Sequence, residues 1–401
     1  MTEITKVCAG CSACQLICPN LAIKMIEDDE GFLSPSVNKA ICNDCKLCVD
    51  KCPQNTPEYF IRKENNVKVI AARYKNDKVL EKSASGGFFA GLAAKVLSTP
   101  GNVVFGCAFD EDIVARHICI SHMNDIPRLQ SSKYVQSDIG TTYLQVRDAL
   151  EKGAMVFYTG TPCQIAGLYA FLGEDHKNLI TADLICHGVP SPALFKRYIN
   201  ELAKKNGGKI IYHNFRYKGK KGWGATSLIK TKTKTKTKIK EALFDPYYYS
   251  FGSKDSILRE VCYVCPYASP NRVADFTLGD FWGIEKVHPE FFDRRGVSAV
   301  IISTEKGKKF FEQIKNEFEF IESTIENINQ IHLQKPALRP SVRDIILKGV
   351  CGEDYIVHKN LLLKLEKKVL FKEYARKILP RWAVRFLLKL YKYVNPSRNQ
   401  T

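Results

Sequence analysis

No run of the 401 residues approaches the roughly 18 apolar residues that a bilayer-spanning helix needs, so no such helix is expected. Met1-Thr2-Glu3-Ile4-Thr5-Lys6 holds no apolar signal-peptide core, so no export leader is expected either. Acidic residues are scarce: 42 Asp and Glu against 60 Lys and Arg leave a net charge of +18. That balance favours phosphate-bearing cofactors, acidic partner proteins or an anionic membrane face. Charge alone would admit nucleic acid, but no recognisable nucleic-acid module is present, so no such partner is expected.

Cysteine, by contrast, is plentiful at 15 residues, which in a chain without an expected leader fits a reducing cytoplasm and metal ligation. Cys8-x2-Cys11-x2-Cys14-x3-Cys18-Pro19 is repeated as Cys42-x2-Cys45-x2-Cys48-x3-Cys52-Pro53. Three closely spaced thiolates supply three corners of an iron–sulfur cubane, and in the bacterial dicluster pattern the fourth cysteine crosses to the other cluster. The spacing assigns Cys8, Cys11, Cys14 and Cys52 to cluster one, and Cys42, Cys45, Cys48 and Cys18 to cluster two. Zinc would want four ligands rather than eight in triplet-plus-one runs, and disulfides suit secreted chains. The chemistry is electron transfer.

Four regions are expected: a two-[4Fe–4S] ferredoxin-type domain over 1–60, a core in two parts over 67–150 and 151–340, and a basic amphipathic helical tail over 355–401. Strands are expected at 20–26, 67–73, 102–109, 114–121, 154–158 and 179–185, with 102–121 as a hairpin. Helices are expected at about 86–97, 141–152, 165–172 and 193–205, and a charged turn between 73 and 83. The fold class is α+β or α/β: a bacterial-type dicluster ferredoxin followed by a mixed α/β core. KTKTKTKTKIK, residues 230–240, alternates with period two and reads as a lysine-guarded strand at a sheet edge or as a basic comb facing substrate. In the tail, Arg381, Arg385, Lys389 and Lys392 form one stripe beside Trp382, Phe386, Leu390 and Tyr391. Such a segment suits either an anionic membrane surface at the cytoplasmic face or docking on protein.

Seven cysteines lie outside the repeats. Cys262-x2-Cys265-Pro266, with Cys163 and Cys186 at strand-to-helix loops, could ligate a third [4Fe–4S] cluster; zinc or free thiols are the other readings. Cys107 and Cys119 fall in expected strands, where cysteine is usually a small buried hydrophobe. Ser83-Ala84-Ser85-Gly86-Gly87 and Thr159-Gly160-Thr161-Pro162 open helices with small residues that suit a pyrophosphate or simply cap a helix. Neither has the Rossmann or Walker spacing.

In this order, KSASGGFFAGLA, SSKYVQS, TGTPCQIAGL, ICHGVPS, CYVCPY and ADFTLGDFWG resemble the coenzyme F420 hydrogenase/dehydrogenase beta-subunit family over about residues 67–305. The resemblance implies a flavoprotein core holding FAD, exchanging electrons with a ferredoxin, a deazaflavin such as coenzyme F420, or a partner redox subunit. It puts flavin contacts at Ser85, Gly86, Gly87, Ser132, Lys133, Tyr134, Gly160 and Thr161, and a cluster near them at Cys163, Cys186, Cys262 and Cys265. His187 becomes a candidate proton donor, and Asp280 with Trp282 candidates to orient cofactor or substrate. Members with a fused ferredoxin often accompany polysaccharide-synthesis genes. The expected function is an iron–sulfur flavoprotein oxidoreductase; the alternative is a non-catalytic relay subunit.

Overall fold

The computed structural model describes residues 4–352, apart from 6, 63–65, 220–221, 233–237 and 242–243. The tail from 353 onward, with its basic stripe, and the middle of the KTKTKTKTKIK run lie outside the described residues.

In the N-terminal module, β1 (Ile23–Glu27) and β2 (Leu33–Val37) pair antiparallel. Asp28 closes their turn by accepting from the Phe32 and Glu30 amides. Short helices, Ala13–Ile17 and Leu47–Asp50, follow the second cysteine of each repeat. Ser12 at φ 61° and Lys46 at φ 60° enter them in the same left-handed conformation, which is costly for residues with a Cβ. Both repeats therefore impose one loop shape on two different residues.

The core strands are β3 (Lys68–Tyr74), β4 (Val103–Phe109), β5 (Ala115–Ile120), β6 (Val156–Thr159), β7 (Leu179–Leu184), β8 (Ile210–Asn214), β9 (Thr226–Thr231), β10 (Lys238–Glu241), β11 (Phe276–Asp280), β12 (Ser298–Ile302) and β13 (Phe318–Glu322). Eight of them form one mixed sheet in the order β13-β3-β12-β11-β7-β6-β4-β5, so strands from 67–150 and from 151–340 share it. The remaining three make the antiparallel sheet β10-β9-β8, in which the two ends of the lysine–threonine run pair and β10 takes an edge.

Alternation along β3 sends Ile70 and Ala72 to one face of the large sheet, and Val69 and Ala71 to the other. The first face is covered by helices Phe88–Leu97 and Glu305–Ile314, with Phe88 stacked 4.6 Å from Phe318. The second carries Thr142–Glu151 and Pro162–Leu172, whose core also includes Cys11 and Ala13 of the ferredoxin module. Burial on both faces explains the near-continuous apolar strands.

Two expectations need correction. Residues 77–82 are a short helix rather than a turn, because the Asn76 side chain accepts from the Val79 amide as an N-cap. Cys119 is exposed, since its position on the edge strand β5 faces away from the core.

One buried group ties stability to pH. His213 lies 4.2 Å from Phe215 by ring centroids, and neither ring nitrogen has a partner among the described residues. Burial lowers its pKa to about 4. The unfolded histidine takes a proton near pH 6.5 and the folded one near 4, so stability is full above that window and falls as pH drops through it. His213→Phe should lessen this acid sensitivity, by up to about 1.4 kcal/mol per pH unit. Urea midpoints of the two proteins at pH 7 and pH 5 check it; equal losses on acidification would contradict it.

Candidate iron–sulfur and cofactor site

Strand direction explains why the candidate residues converge. β4, β6, β7 and β11 run parallel, and β3 runs the same way because it is antiparallel to β12, as β11 is. Their carboxyl ends therefore share one edge, the usual place for ligands in open α/β sheets. Ser85–Gly87 stands beside the end of β3, where the Tyr74 amide donates to the Gly86 carbonyl (2.7 Å). Gly160, Thr161 and Cys163 follow β6, Cys186 and His187 follow β7, and Asp280 closes β11.

Cys163, Cys186, Cys262 and Cys265 line a single cavity, together with His187 and Pro336. Ala9 and Gln54 of the ferredoxin module form part of the same wall. Burial, and then the neighbouring cysteines, push Cys163 up to about 11 and Cys262 up to about 12. Cys186 rises well above its ordinary value for the same reasons, and burial raises Cys265. Four thiolates crowded together out of water require a cationic centre. The Gln54 Nε2, buried on this wall, has no partner among the described residues. Pro162 starts the adjoining helix three residues before the expected position, and Thr161 and Gln164 form its capping box.

A second cavity is lined by Cys42, Cys45, Cys48 and the crossing Cys18. Cys42 and Cys45 are exposed, whereas Cys11 and Cys52 are buried. Burial is the main cause that raises Cys14 to about 12, followed by Cys8 and Cys52. The structure thus gathers Cys8, Cys11, Cys14 and Cys52 on the core side, and leaves the other set near the surface.

The module is held by residues the sequence reading missed. Arg259 donates to the Cys8 carbonyl at 2.7 Å, and Gln136 to the Ala9 carbonyl at 2.9 Å. The Tyr267 hydroxyl donates to the Pro53 carbonyl (2.6 Å). Arg343, almost wholly buried, pairs through both terminal nitrogens with Glu30 at 2.7 and 2.6 Å.

The candidate flavin residues are brought to the same edge, several of them already engaged. Ser85 Oγ donates to the Val297 carbonyl at 2.7 Å, and Lys133 Nζ to the Gln130 carbonyl at 2.7 Å. Burial lowers Lys133 to about 8. The half-buried Ser132 precedes it. A Cβ at Gly86 would collide with the Ala72 carbonyl oxygen, so strand packing already requires a glycine there. Gly87, at φ +81°, opens the following helix. Arg216, also missed in the sequence, joins the rest: it donates to Tyr134 Oη (3.0 Å) and to both Asp280 oxygens (2.7 and 2.9 Å). Asp280 accepts from Trp223 Nε1 as well, and Trp223 stacks on Trp282 at 4.4 Å and 8°. The Asp280 carboxylate is therefore occupied as an anchor for Arg216. His187 lies 2.5 Å from Asp255 Oδ1 and 4.0 Å, by ring centroids, from His332.

Residues 7–56 match the 4Fe-4S dicluster domain, and 153–327 match the family described as the C terminus of the coenzyme F420 hydrogenase/dehydrogenase beta subunit. The chain belongs to that beta-subunit family. The F subunit of F(420)H(2) dehydrogenase from Methanosarcina mazei is 25% identical over 332 residues, covering 79% of this chain and 84% of that protein. A chain of the F420-reducing [NiFe] hydrogenase complex from Methanosarcina barkeri is 17% identical, with TM-score 0.43, covering 76% of this chain and 91% of that one. This family member is an iron–sulfur electron-transfer protein of the oxidoreductase type, with two [4Fe–4S] clusters in its N-terminal domain. Among the described residues no helix is long and apolar enough to cross a membrane.

Proposed function

We propose that the chain is an iron–sulfur flavoprotein oxidoreductase in which a third [4Fe–4S] cluster links the ferredoxin module to FAD at the carboxyl edge of the sheet. The observation carrying this reading is the shared cavity: four loop cysteines on one side, Ala9 and Gln54 of the ferredoxin module on the other. The donor set fits a cluster in kind, and the orphaned Gln54 amide is a donor that a cluster sulfur could accept from. Among the described residues no three His, Cys, Asp or Glu side chains close on a single-ion site, in this cavity or in the ferredoxin triplets. Zinc needs its ligands to converge on one ion, whereas a cubane spreads four thiolates over separate irons.

When bound, the clusters would supply one-electron transfer and the flavin would couple it to two-electron chemistry. The protein's part is placement. Ser85, Gly86, Gly87, Ser132, Lys133, Tyr134, Gly160 and Thr161 would border the flavin, with Lys218 adding positive charge where it donates to the Ser85 carbonyl at 2.8 Å. His187, oriented by Asp255, would hold a proton beside the cavity. The electron partner would be a ferredoxin, a deazaflavin such as coenzyme F420, or a redox subunit docking near the exposed cysteines of cluster two, with the substrate in small-molecule or polysaccharide metabolism. The tail at 355–401 would add contact with an anionic membrane surface.

The second reading, a relay subunit without its own substrate, is favoured by one observation: Asp280, a candidate catalytic group, is already held by Arg216 and Trp223. Anaerobic purification with iron, sulfide and flavin analysis tests the main reading. The chain should hold about twelve irons, and Cys262→Ser should lose about four of them. An unchanged iron content in that variant removes the third site. Absence of any retained flavin after reconstitution leaves only the relay.

A further inference from the structure

Four arginines are buried to 4% exposure or less: Arg216, Arg259, Arg272 and Arg343. Arg216 is paired with Asp280, Arg272 with Asp183 and Arg343 with Glu30. Arg259 differs. Its guanidinium donates to the Cys8 carbonyl (2.7 Å), Gln136 Oε1 (2.8 Å), the Leu33 carbonyl (3.0 Å) and Ser34 Oγ (3.1 Å), all neutral acceptors. It also lies 5.1 Å from the Phe32 ring centroid. Among the described residues no carboxylate forms an ion pair with it. Arginine does not give up its proton, and an unpaired buried charge is strongly unfavourable. Something else must supply the negative charge.

Its position identifies the source. On one side Arg259 grips the peptide after Cys8; on the other, its own carbonyl accepts from the Cys262 amide at 2.9 Å. Its charge favours the thiolate forms of Cys163 and Cys262. Space around it is tight: Gly10 has φ +66°, and a Cβ there would lie 2.6 Å from Gln136 Nε2 and 2.8 Å from Arg259 Nη1. We propose that Arg259 is the shared countercharge of two anionic cluster sites, the one beginning at Cys8 and the one at the Cys163–Cys265 cavity, and that it raises the reduction potential on both sides of the step between them. A fixed positive charge favours the reduced, more negative cluster, so removing it lowers the potential. Arg259 is thus a positioning residue, acting through charge and backbone contacts.

The inference rests on the third-cluster reading for one of its two sides. The iron content of the unaltered chain tests that reading separately: about eight irons removes the third cluster, and this proposal with it. The test of Arg259 uses the full chain, reconstituted anaerobically and titrated electrochemically while electron paramagnetic resonance follows each cluster. Arg259→Gln should shift the reduced-to-oxidised ratio about tenfold at a fixed potential, a fall of about 59 mV for a one-electron couple. Gln136→Glu keeps the arginine fork but sets a carboxylate against it, and should shift the midpoint the same way. Arg259→Lys keeps the charge and should stay close to the unaltered protein. With about twelve irons present, unchanged midpoints in both Arg259→Gln and Gln136→Glu overturn the proposal. So does Arg259→Lys falling as far as Arg259→Gln, which would leave a purely structural clamp. If Arg259→Gln loses iron, the midpoint of Gln136→Glu decides.

Discussion

Replacing Asp183 with alanine should destabilise the protein by about 3–5 kcal/mol, the range for breaking one side of a buried ion pair. Asp183 and Arg272 are among the least accessible charged side chains, at 0% and 1% exposure, and meet at 3.0 Å. Asp183 also accepts from Thr277 Oγ1 (2.6 Å) and from the Val273 and Ala274 amides. Without it, the Arg272 guanidinium would stay buried with only neutral acceptors, among them the Tyr267 carbonyl (2.9 Å) and the Leu184 carbonyl (2.8 Å). The damage should spread to the cysteine cavity, because Tyr267 lines it and anchors Pro53. Asp183→Asn, which keeps the shape and part of the bonding, should lose less. Denaturant unfolding of the three proteins measures this; a loss below about 1 kcal/mol in Asp183→Ala would contradict it.

Gly167→Val should cost the protein its core-side cluster, about four irons. Gly167 lies in the helix Pro162–Leu172, and a Cβ there would stand 2.9 Å from Cys11 Cβ, 3.0 Å from Cys11 Sγ and 3.0 Å from Tyr143 Oη. The glycine lets the first ferredoxin loop approach the helix backbone. Two further methyl groups would push Cys11 away from Cys8, Cys14 and Cys52, while Cys42 and its partners lie elsewhere. Gly224→Ala is the control, since nothing lies within 4 Å of a Cβ at that position. Iron analysis beside the optical spectrum of the remaining cluster reads the outcome, and full iron content in Gly167→Val sinks the argument.

Legibility in the sequence followed the range of the interaction. The two cysteine repeats were readable because their ligands are local, and even the crossing of Cys18 toward Cys42, Cys45 and Cys48 follows from a fixed spacing. Most core strands and helices were readable to within a few residues because their apolar periodicity is strong. The helix Asp77–Lys82 was not, since six largely charged residues resemble a turn until the Asn76 cap is seen. Arg259 and Arg343 carry no local signal: their acceptors Cys8 and Glu30 lie at the other end of the chain. Gly86 was read for cofactor approach, yet its neighbours are Ala72 and Ser298 of the strands beneath it. Sequence reveals that a position must be small, and only packing shows against what.

The order of the large sheet also bears on how the chain can be made. β3 is among the earliest core strands to leave the ribosome, but both its neighbours, β12 and β13, span Ser298–Ile302 and Phe318–Glu322. Until those residues emerge, the apolar segment Lys68–Tyr74 has two open edges, a template for pairing with other chains. The ferredoxin repeats ahead of it close over short distances and can take shape early, whereas Arg343, their grip at Glu30, arrives last. Synthesis of this protein therefore leaves a long interval in which its redox end is complete and its central strand is unprotected, and a chaperone holding that strand would matter most during that interval.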